Sequence, residues 1–431
     1  MSWPRRELGL ALVSAAFVLT AAVAVCLAPF ARANVWQVAV PLSDFGVLGV
    51  ALGWGLCLAA AIVVLRRTLP GHDPYLLPLA YLLAGWGLVI IWRLTPPFAL
   101  RQVVWLAVGT AAMLALMALP ADLRWLRRYR YLWLLGGLVL TGLTLLFGVN
   151  PSGGDQHRWL GLGASLYLQP AELLKILLVV FCAAYLADRR ELLFQITPVS
   201  PARAPSLPYF VPLLLMWGFS MVILITQRDL GMGMLYFSVF LVMLYLASGQ
   251  LRYVLIGAAL LALSVAIGYA LFDVVRLRVE AWWNPWADAS GRSFQIVQSL
   301  IAVAAGGLGG AGPGLGAPTL IPVAQSDFLF AALAEEWGLV GAAAALGLTA
   351  AAVLRGLRIA SQAQGAFRQL LAGGLAALLG LQALTIVGGV IKAIPLTGLT
   401  LPFMSYGGSS LLASFIILGL WLRLSTPAPP G

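Results

Sequence analysis

The sequence predicts an all-α integral membrane protein, a polytopic bundle of about twelve transmembrane helices, and three observations carry this. Of 431 residues 61% are hydrophobic and only 10% are charged, against roughly a quarter charged in an ordinary soluble domain. Fifteen acids and 26 bases cannot cover the outside of a folded chain of this length, so most of its surface faces hydrocarbon. Windows of about 20 apolar residues, enough to cross a bilayer core, recur from one end to the other.

The first window, 8–28, follows Arg5 and Arg6 and precedes Ala31-Arg32-Ala33, a pattern that imitates a secretory signal. Its apolar run approaches 20 residues against about 7 to 15 for a signal core, which predicts a retained helix. Spans at 45–65 and 75–92 follow, separated by Arg66 and Arg67, and 102–119 begins just after Arg101. The basic cluster Arg124, Arg127, Arg128 and Arg130 precedes 131–148, and Arg189 and Arg190 close 168–187. A Pro- and Arg-rich segment at 188–208 leads to 209–226, 231–247 and 253–272; after the long segment 273–326 come 327–354, 369–391 and 408–422. Gly/Pro crowding across 305–318 excludes a regular helix there and predicts turns and re-entrant backbone. Such backbone survives at membrane depth only inside protein or beside a wet cavity, so it marks a site or its lid.

Sixteen of the 26 basic residues fall on the inner side if the N-terminus is cytoplasmic, nine fall outside and Lys175 lies within a span. Positive segments stay inside, so both termini are expected in the cytoplasm. The net charge of +11 does not point to nucleic acid, because the bases lie between apolar runs and form no solvated basic-aromatic patch. It suits membrane lipids with anionic headgroups, at about 1 kcal/mol per surface cation. Cys26, Cys57 and Cys182 sit inside apolar runs and read as small hydrophobes. With His72 and His157 the only histidines, zinc and haem chemistry are not expected.

Ionisable groups inside spans cost about 2.5 to 3.5 kcal/mol on insertion scales and are functional candidates by default. Glu172 and Lys175, three apart on one helix face, form either a working ion pair or a packing pair that neutralises itself. Asp327, at the outer end of its span after the Gly/Pro segment, serves either as a helix cap or as a catalytic acid. Glu335 and Glu336 lie deeper, where at least one must meet a cation or a polar cavity. Arg276, Arg278 and Arg292 flank Trp282, Trp283 and Trp286. The tryptophans fit an interfacial belt, while the arginines suit a lipid carrying pyrophosphate.

Taken in order, several stretches resemble the FtsW/RodA family of SEDS proteins, which polymerise peptidoglycan glycan strands. Arg158-Trp159, Gln169-Pro170-Ala171-Glu172 with Lys175, and Gln227-Arg228-Asp229-Leu230-Gly231 match its early motifs. Arg278, Trp283-Asn284-Pro285-Trp286, Gln295, Gln298 and Ser299 resemble the start of its large external loop. Asp327-Phe328 with Glu335-Glu336 and Gly338, then Pro395, Gly398, Leu401-Pro402 and Ser405-Tyr406-Gly407-Gly408-Ser409-Ser410, resemble its closing segments. The match runs from about 75 to 424, so 1–74 reads as an N-terminal two-helix addition and 75–431 as the SEDS-type core, with 273–326 its external loop. Two short stretches, Trp283-Asn284-Pro285-Trp286 and Leu399-Thr400-Leu401-Pro402, lean towards FtsW. The family pattern P-E-x-H-T-D is here Pro322-Val323-Ala324-Gln325-Ser326-Asp327, without the Glu and His; Arg228 replaces a proline and Asp155 a glycine.

The resemblance implies a peptidoglycan glycosyltransferase that joins lipid II disaccharides and releases polyprenyl pyrophosphate, working with a class B penicillin-binding protein as transpeptidase. Asp327 would be the catalytic base. Arg158, Glu172, Lys175, Arg278, Gln295, Glu335 and Ser405 would contact or order the lipid II substrate and growing strand. No cofactor and no resident metal site are expected; a divalent cation, Mg or Mn, would at most bridge the pyrophosphate. The rival from another class is a twelve-helix transporter or lipid II flippase, disfavoured because the Gly/Pro segment has no counterpart in the first half. A scaffold that has lost activity is a third reading, motivated by the missing Glu and His.

Overall fold

The computed structural model describes residues 3–33, 45–118, 123–150, 157–161, 163, 166–188, 214–216, 218, 219, 222, 227 and 229–426. Among them, eleven helices are long and apolar enough to cross a membrane. The remaining expected span, 209–226, lies for the most part outside the described residues, as do 189–208, Asp155 and Arg228.

The helices are α1 (Trp3–Ala33), α2 (Gly46–Thr68), α3 (Leu76–Leu94), α4 (Pro96–Met117), the short α5 (Arg124–Arg128), α6 (Arg130–Phe147) and α7 (Pro170–Asp188). Then come α8 (Leu230–Ser248), α9 (Leu251–Leu271), α10 (Asp273–Trp283), α11 (Phe294–Gly306), α12 (Leu329–Gln362), α13 (Ala366–Val390) and α14 (Gly408–Ser425). A two-stranded antiparallel ribbon, β1 (Leu160–Gly161) with β2 (Tyr167–Leu168), precedes α7. The segment expected as an external loop, 273–326, is therefore largely folded, since α10 and α11 lie within it.

The chain divides into two compact units. The first holds Met1–Ala121, Glu280–Arg355 and Gln382–Pro427, so residues 1–74 lie within it. Its main seam joins α4 to α14, where small residues let the backbones approach, as is usual between membrane helices. A Cβ at Gly109 would sit 3.2 Å from Phe415 Cβ, and one at Gly419 would sit 3.2 Å from Met113 Cα. Polar groups in this unit satisfy one another. Trp54 Nε1 donates to Tyr81 O at 2.8 Å, and the Tyr81 and Thr110 hydroxyls lie 2.6 Å apart. On the side of α1 that carries its N-terminus, His72 Nε2 lies 3.1 Å from Glu7 Oε1, and Arg355 pairs with Asp73.

The second unit holds Asp122–Val279 and Gly356–Leu381. Here α7 packs on α6 and α8. Gly137 admits Leu174 and Leu177, whose Cδ1 atoms would each be 2.9 Å from an added Cβ. Tyr236 on α8 donates its hydroxyl to Ala171 O at 2.6 Å, bonding α8 to the first turn of α7.

Candidate active site

In the first unit α12 begins at Leu329, and Phe328 O accepts from Ala331 N and Ala332 N at 2.9 and 3.1 Å. Asp327 therefore stands in the turn ahead of the helix, one residue short of the capping position expected for it. The turn is strained: Val323 has φ of 57°, a left-handed conformation that is a true outlier for a β-branched residue. Outliers of this kind cost about 1 to 3 kcal/mol and gather at functional sites. Gln325 O accepts from Tyr406 N at 2.8 Å, which ties the turn to the Ser405-Tyr406-Gly407 stretch. That stretch is fixed in turn by α4. Gln102 Nε2 donates to Ser405 O at 3.1 Å, Gln102 Oε1 accepts from Gly407 N at 3.3 Å, and Tyr406 stacks on Phe98 with centroids 4.6 Å apart. Buried Ser405 accepts from Leu401 N at 3.0 Å, and Gln295 lies half-buried in the first turn of α11.

Two turns into α12 the helix breaks at Gly338 (φ 66°, ψ −169°). The Gly/Pro segment occupies the break. Leu339 N donates to Gly307 O at 2.9 Å and Val340 N to Leu308 O at 3.2 Å, replacing the lost helical bonds. In the other direction Ala311 N and Gly312 N donate to the carbonyls of Glu335 and Glu336, each at 2.9 Å. The approach is so close that a Cβ on Gly338 or Gly310 would overlap the facing backbone. The irregular backbone of both segments is thus satisfied inside protein, as a membrane protein requires.

The carboxylates of Glu335 and Glu336 complete the contact. Glu335 Oε1 accepts from Ala317 N at 2.7 Å and Glu336 Oε2 from Gly314 N at 2.9 Å. Of the cation or polar cavity expected for at least one of them, Glu336 has a cation: Arg93 Nε lies 3.3 Å from its Oε1. Arg93 and Arg32 both donate to Gly316 O, at 3.2 and 2.9 Å. Sequence reasoning required a cation or a polar cavity for at least one of the two acids but did not name Arg93 or Arg32. The available signal was that both stand at the C-terminal ends of their spans.

In the second unit Glu172 and Lys175 are joined as an ion pair, 2% and 1% exposed. Burial this complete makes each charge depend on the other. Arg158 is held at two points, donating from Nε to Gln227 O and from Nη1 to Asp229 Oδ2, both at 3.0 Å. Asp229 also accepts from Met232 N at 3.1 Å and so caps α8. The role of Asp229 as the anchor of Arg158 was not foreseen. Arg278 lies half-buried on α10. Of the expected site residues, Asp327, Gln295, Glu335 and Ser405 belong to the first unit and Arg158, Glu172, Lys175 and Arg278 to the second. Among the described residues no group of three or more His, Cys, Asp or Glu is disposed to hold a metal ion.

Comparison with known proteins agrees with these motifs. The FtsW/RodA/SpoVE family model, described as a cell cycle protein, matches residues 90–428. "Peptidoglycan glycosyltransferase RodA" of Mycobacterium tuberculosis is 41% identical over 378 residues, 85% of this chain and 80% of that protein. The RodA of Mycobacterium leprae is 38% identical over 98% of this chain and 91% of its own length. A "probable peptidoglycan glycosyltransferase FtsW" of Geobacter metallireducens is 33% identical, over 82% and 95%. Identity is thus higher to these RodA proteins than to this FtsW, and does not follow the lean of the two short stretches. Among solved structures, a peptidoglycan synthase complex gives a TM-score of 0.67 at 30% identity, covering 83% of this chain and 98% of the matched one. Thermus thermophilus RodA gives 0.60 at 26%, covering 83% and 97%. With the family model covering most of its length, this multi-pass membrane protein belongs to the FtsW/RodA/SpoVE family.

Proposed function

We propose that the chain is a peptidoglycan glycosyltransferase of the cytoplasmic membrane, with both termini cytoplasmic, that polymerises glycan strands from lipid II. Asp327, as carboxylate, takes the proton of the acceptor sugar's 4-hydroxyl while that oxygen attacks the anomeric carbon of the donor. The bond from that carbon to the pyrophosphate oxygen breaks, and polyprenyl pyrophosphate leaves with the electron pair. Attack opposite the leaving group turns an α-linked donor into a β-1,4 product, which needs one base and no covalent sugar intermediate.

The observation that carries this reading is the setting of Asp327: a half-buried acid on a strained turn, pinned through Gln325 to the closing signature. Such pinning supplies the preorganisation that proton transfer to a positioned base requires. Arg158 and Lys175 pair with Asp229 and Glu172 within the second unit, and Arg278 is the proposed contact for the leaving pyrophosphate, which a guanidinium can bind bidentately. Any Mg or Mn travels with the substrate's pyrophosphate. Gln295 is assigned to the sugar, Ser405 and Glu335 to shaping the backbone around the base. The partner is a class B penicillin-binding protein that crosslinks the strands.

The test is polymerisation of labelled lipid II by the purified protein with its transpeptidase. Asp327→Asn keeps the size of the side chain and loses its basicity, and general-base catalysis is worth about 10² to 10⁴ in rate. The folded variant should lose at least about a hundredfold. Retention of more than about a tenth of wild-type activity would refute the assignment.

A further inference from the structure

The helix that brings Arg32 to the Gly/Pro segment lies outside the span of the family match at 90–428. Residues 314–317 are gripped on two sides. Gly316 O accepts from Arg32 on α1 and Arg93 on α3, at 2.9 and 3.2 Å, while Gly314 N and Ala317 N donate to the carboxylates of Glu336 and Glu335 on α12. Arg93 has a carboxylate of its own in Glu336, 3.3 Å away, whereas Arg32 reaches in from the protein's exposed edge. The same stretch is seated directly on α1, since a Cβ at Gly314 would come 2.6 Å from Ala28 Cβ. Five residues after Ala317, at Pro322, begins the turn that ends in Asp327.

We propose that Arg32 is a positioning residue for glycosyl transfer: from the N-terminal helix it closes residues 310–317 against α12, and through them sets the turn that carries Asp327. The proposal rests on the reading of Asp327 as the base. It gives α1 a part in the reaction that its lack of any family motif conceals. The chemistry is that of a charged donor holding a backbone carbonyl, a bond about twice as strong as a neutral one.

The test uses the full chain in lipid with its transpeptidase, comparing wild type with Arg32→Ala, Arg32→Lys and Thr20→Ala. Thr20 lies on the exposed face of the same helix, with its hydroxyl bonded to Ala16 O. In Arg32→Ala, hydrogen exchange across 310–317 should quicken at least about tenfold, close to the lower end for one lost hydrogen bond to a charged group. The maximal polymerisation rate should fall by a similar factor while exchange across α14 stays as in wild type. Arg32→Lys keeps a cationic donor and should recover at least half of both effects; Thr20→Ala should match wild type. Unchanged exchange across 310–317 would overturn the proposal, as would faster exchange with an unaltered maximal rate. Loosening that extends to α14 would also overturn it, by making Arg32 a support of the whole unit. If Asp327→Asn retains activity while Arg32→Ala behaves as described, the base assignment fails and the brace stands.

Discussion

Replacing Gly338 with alanine should open the contact between the Gly/Pro segment and α12. The residue sits at φ 66° and ψ −169°, a region that a side chain enters at about 1 to 3 kcal/mol. The added Cβ would also overlap Gly310 N and Leu308 O. Making room for it separates the strands of backbone that share the Leu339–Gly307 and Val340–Leu308 hydrogen bonds, each worth about 0.5 to 1.5 kcal/mol net. The sum is about 2 to 6 kcal/mol, so even its lower end shifts the closed-to-open ratio about thirtyfold. Amide exchange at Gly310, Ala311 and Gly312, read by mass spectrometry in lipid nanodiscs, should rise by at least that factor, and polymerisation should fall with it. Gly347→Ala is the matched control in the same helix, because nothing lies within 4 Å of its added Cβ; it should be neutral or gain up to about 1 kcal/mol of helix propensity. Exchange in Gly338→Ala equal to that of Gly347→Ala would refute the claim that the segment is held in the break.

Glu172→Gln and Lys175→Met each remove one partner of a buried ion pair, so each should lower the thermal midpoint strongly, on the scale of about 3 to 5 kcal/mol, while the double variant should be more stable than either single; additive losses would show that the two charges do not depend on each other. His72, in the turn between α2 and α3, presents Nδ1 to Leu69 O at 2.7 Å and Nε2 to Glu7, two acceptors that only the imidazolium satisfies at once. Burial opposes that charge, but the hydrogen bonds to Glu7 and Leu69 and the nearby charges of Glu7 and Asp73 outweigh it and hold the pKa above its ordinary 6.5. A raised pKa stabilises the fold fully below the unfolded value and loses that contribution as pH climbs through the folded one. The thermal midpoint of wild type should thus fall more between pH 6 and 8.5 than that of His72→Gln, and parallel curves would count against the imidazolium.

What the sequence could reveal was what local chemistry fixes. Apolar runs of bilayer length set the helices, and three-residue spacing put Glu172 and Lys175 on one face, where the structure pairs them. Two acids inside an apolar run demanded a cation or a polar cavity for at least one of them, for a reason of solvation alone. Naming that cation required knowing which helices meet, and Arg93 reaches Glu336 only because α3 and α12 share one unit. The same holds for Gln102, an unremarkable amide in an apolar helix until the backbone of Ser405 and Gly407 is laid against it. Gly/Pro density announced irregular backbone at 305–318, but not that it would be threaded into a gap in a later helix.

That gap bears on how the protein is made. Leu339 N and Val340 N lack their own helix's carbonyls and use Gly307 O and Leu308 O instead, about 15 Å along α12 from its N-terminal end at 1.5 Å per residue. A peptide N–H without a partner costs several kcal/mol in hydrocarbon. The two halves of α12 cannot both rest in lipid until residues 306–312, which precede them in the chain, fold back to meet them. Insertion of this helix and docking of the preceding segment are therefore coupled: neither half of α12 is satisfied in the membrane without the chain that comes before it.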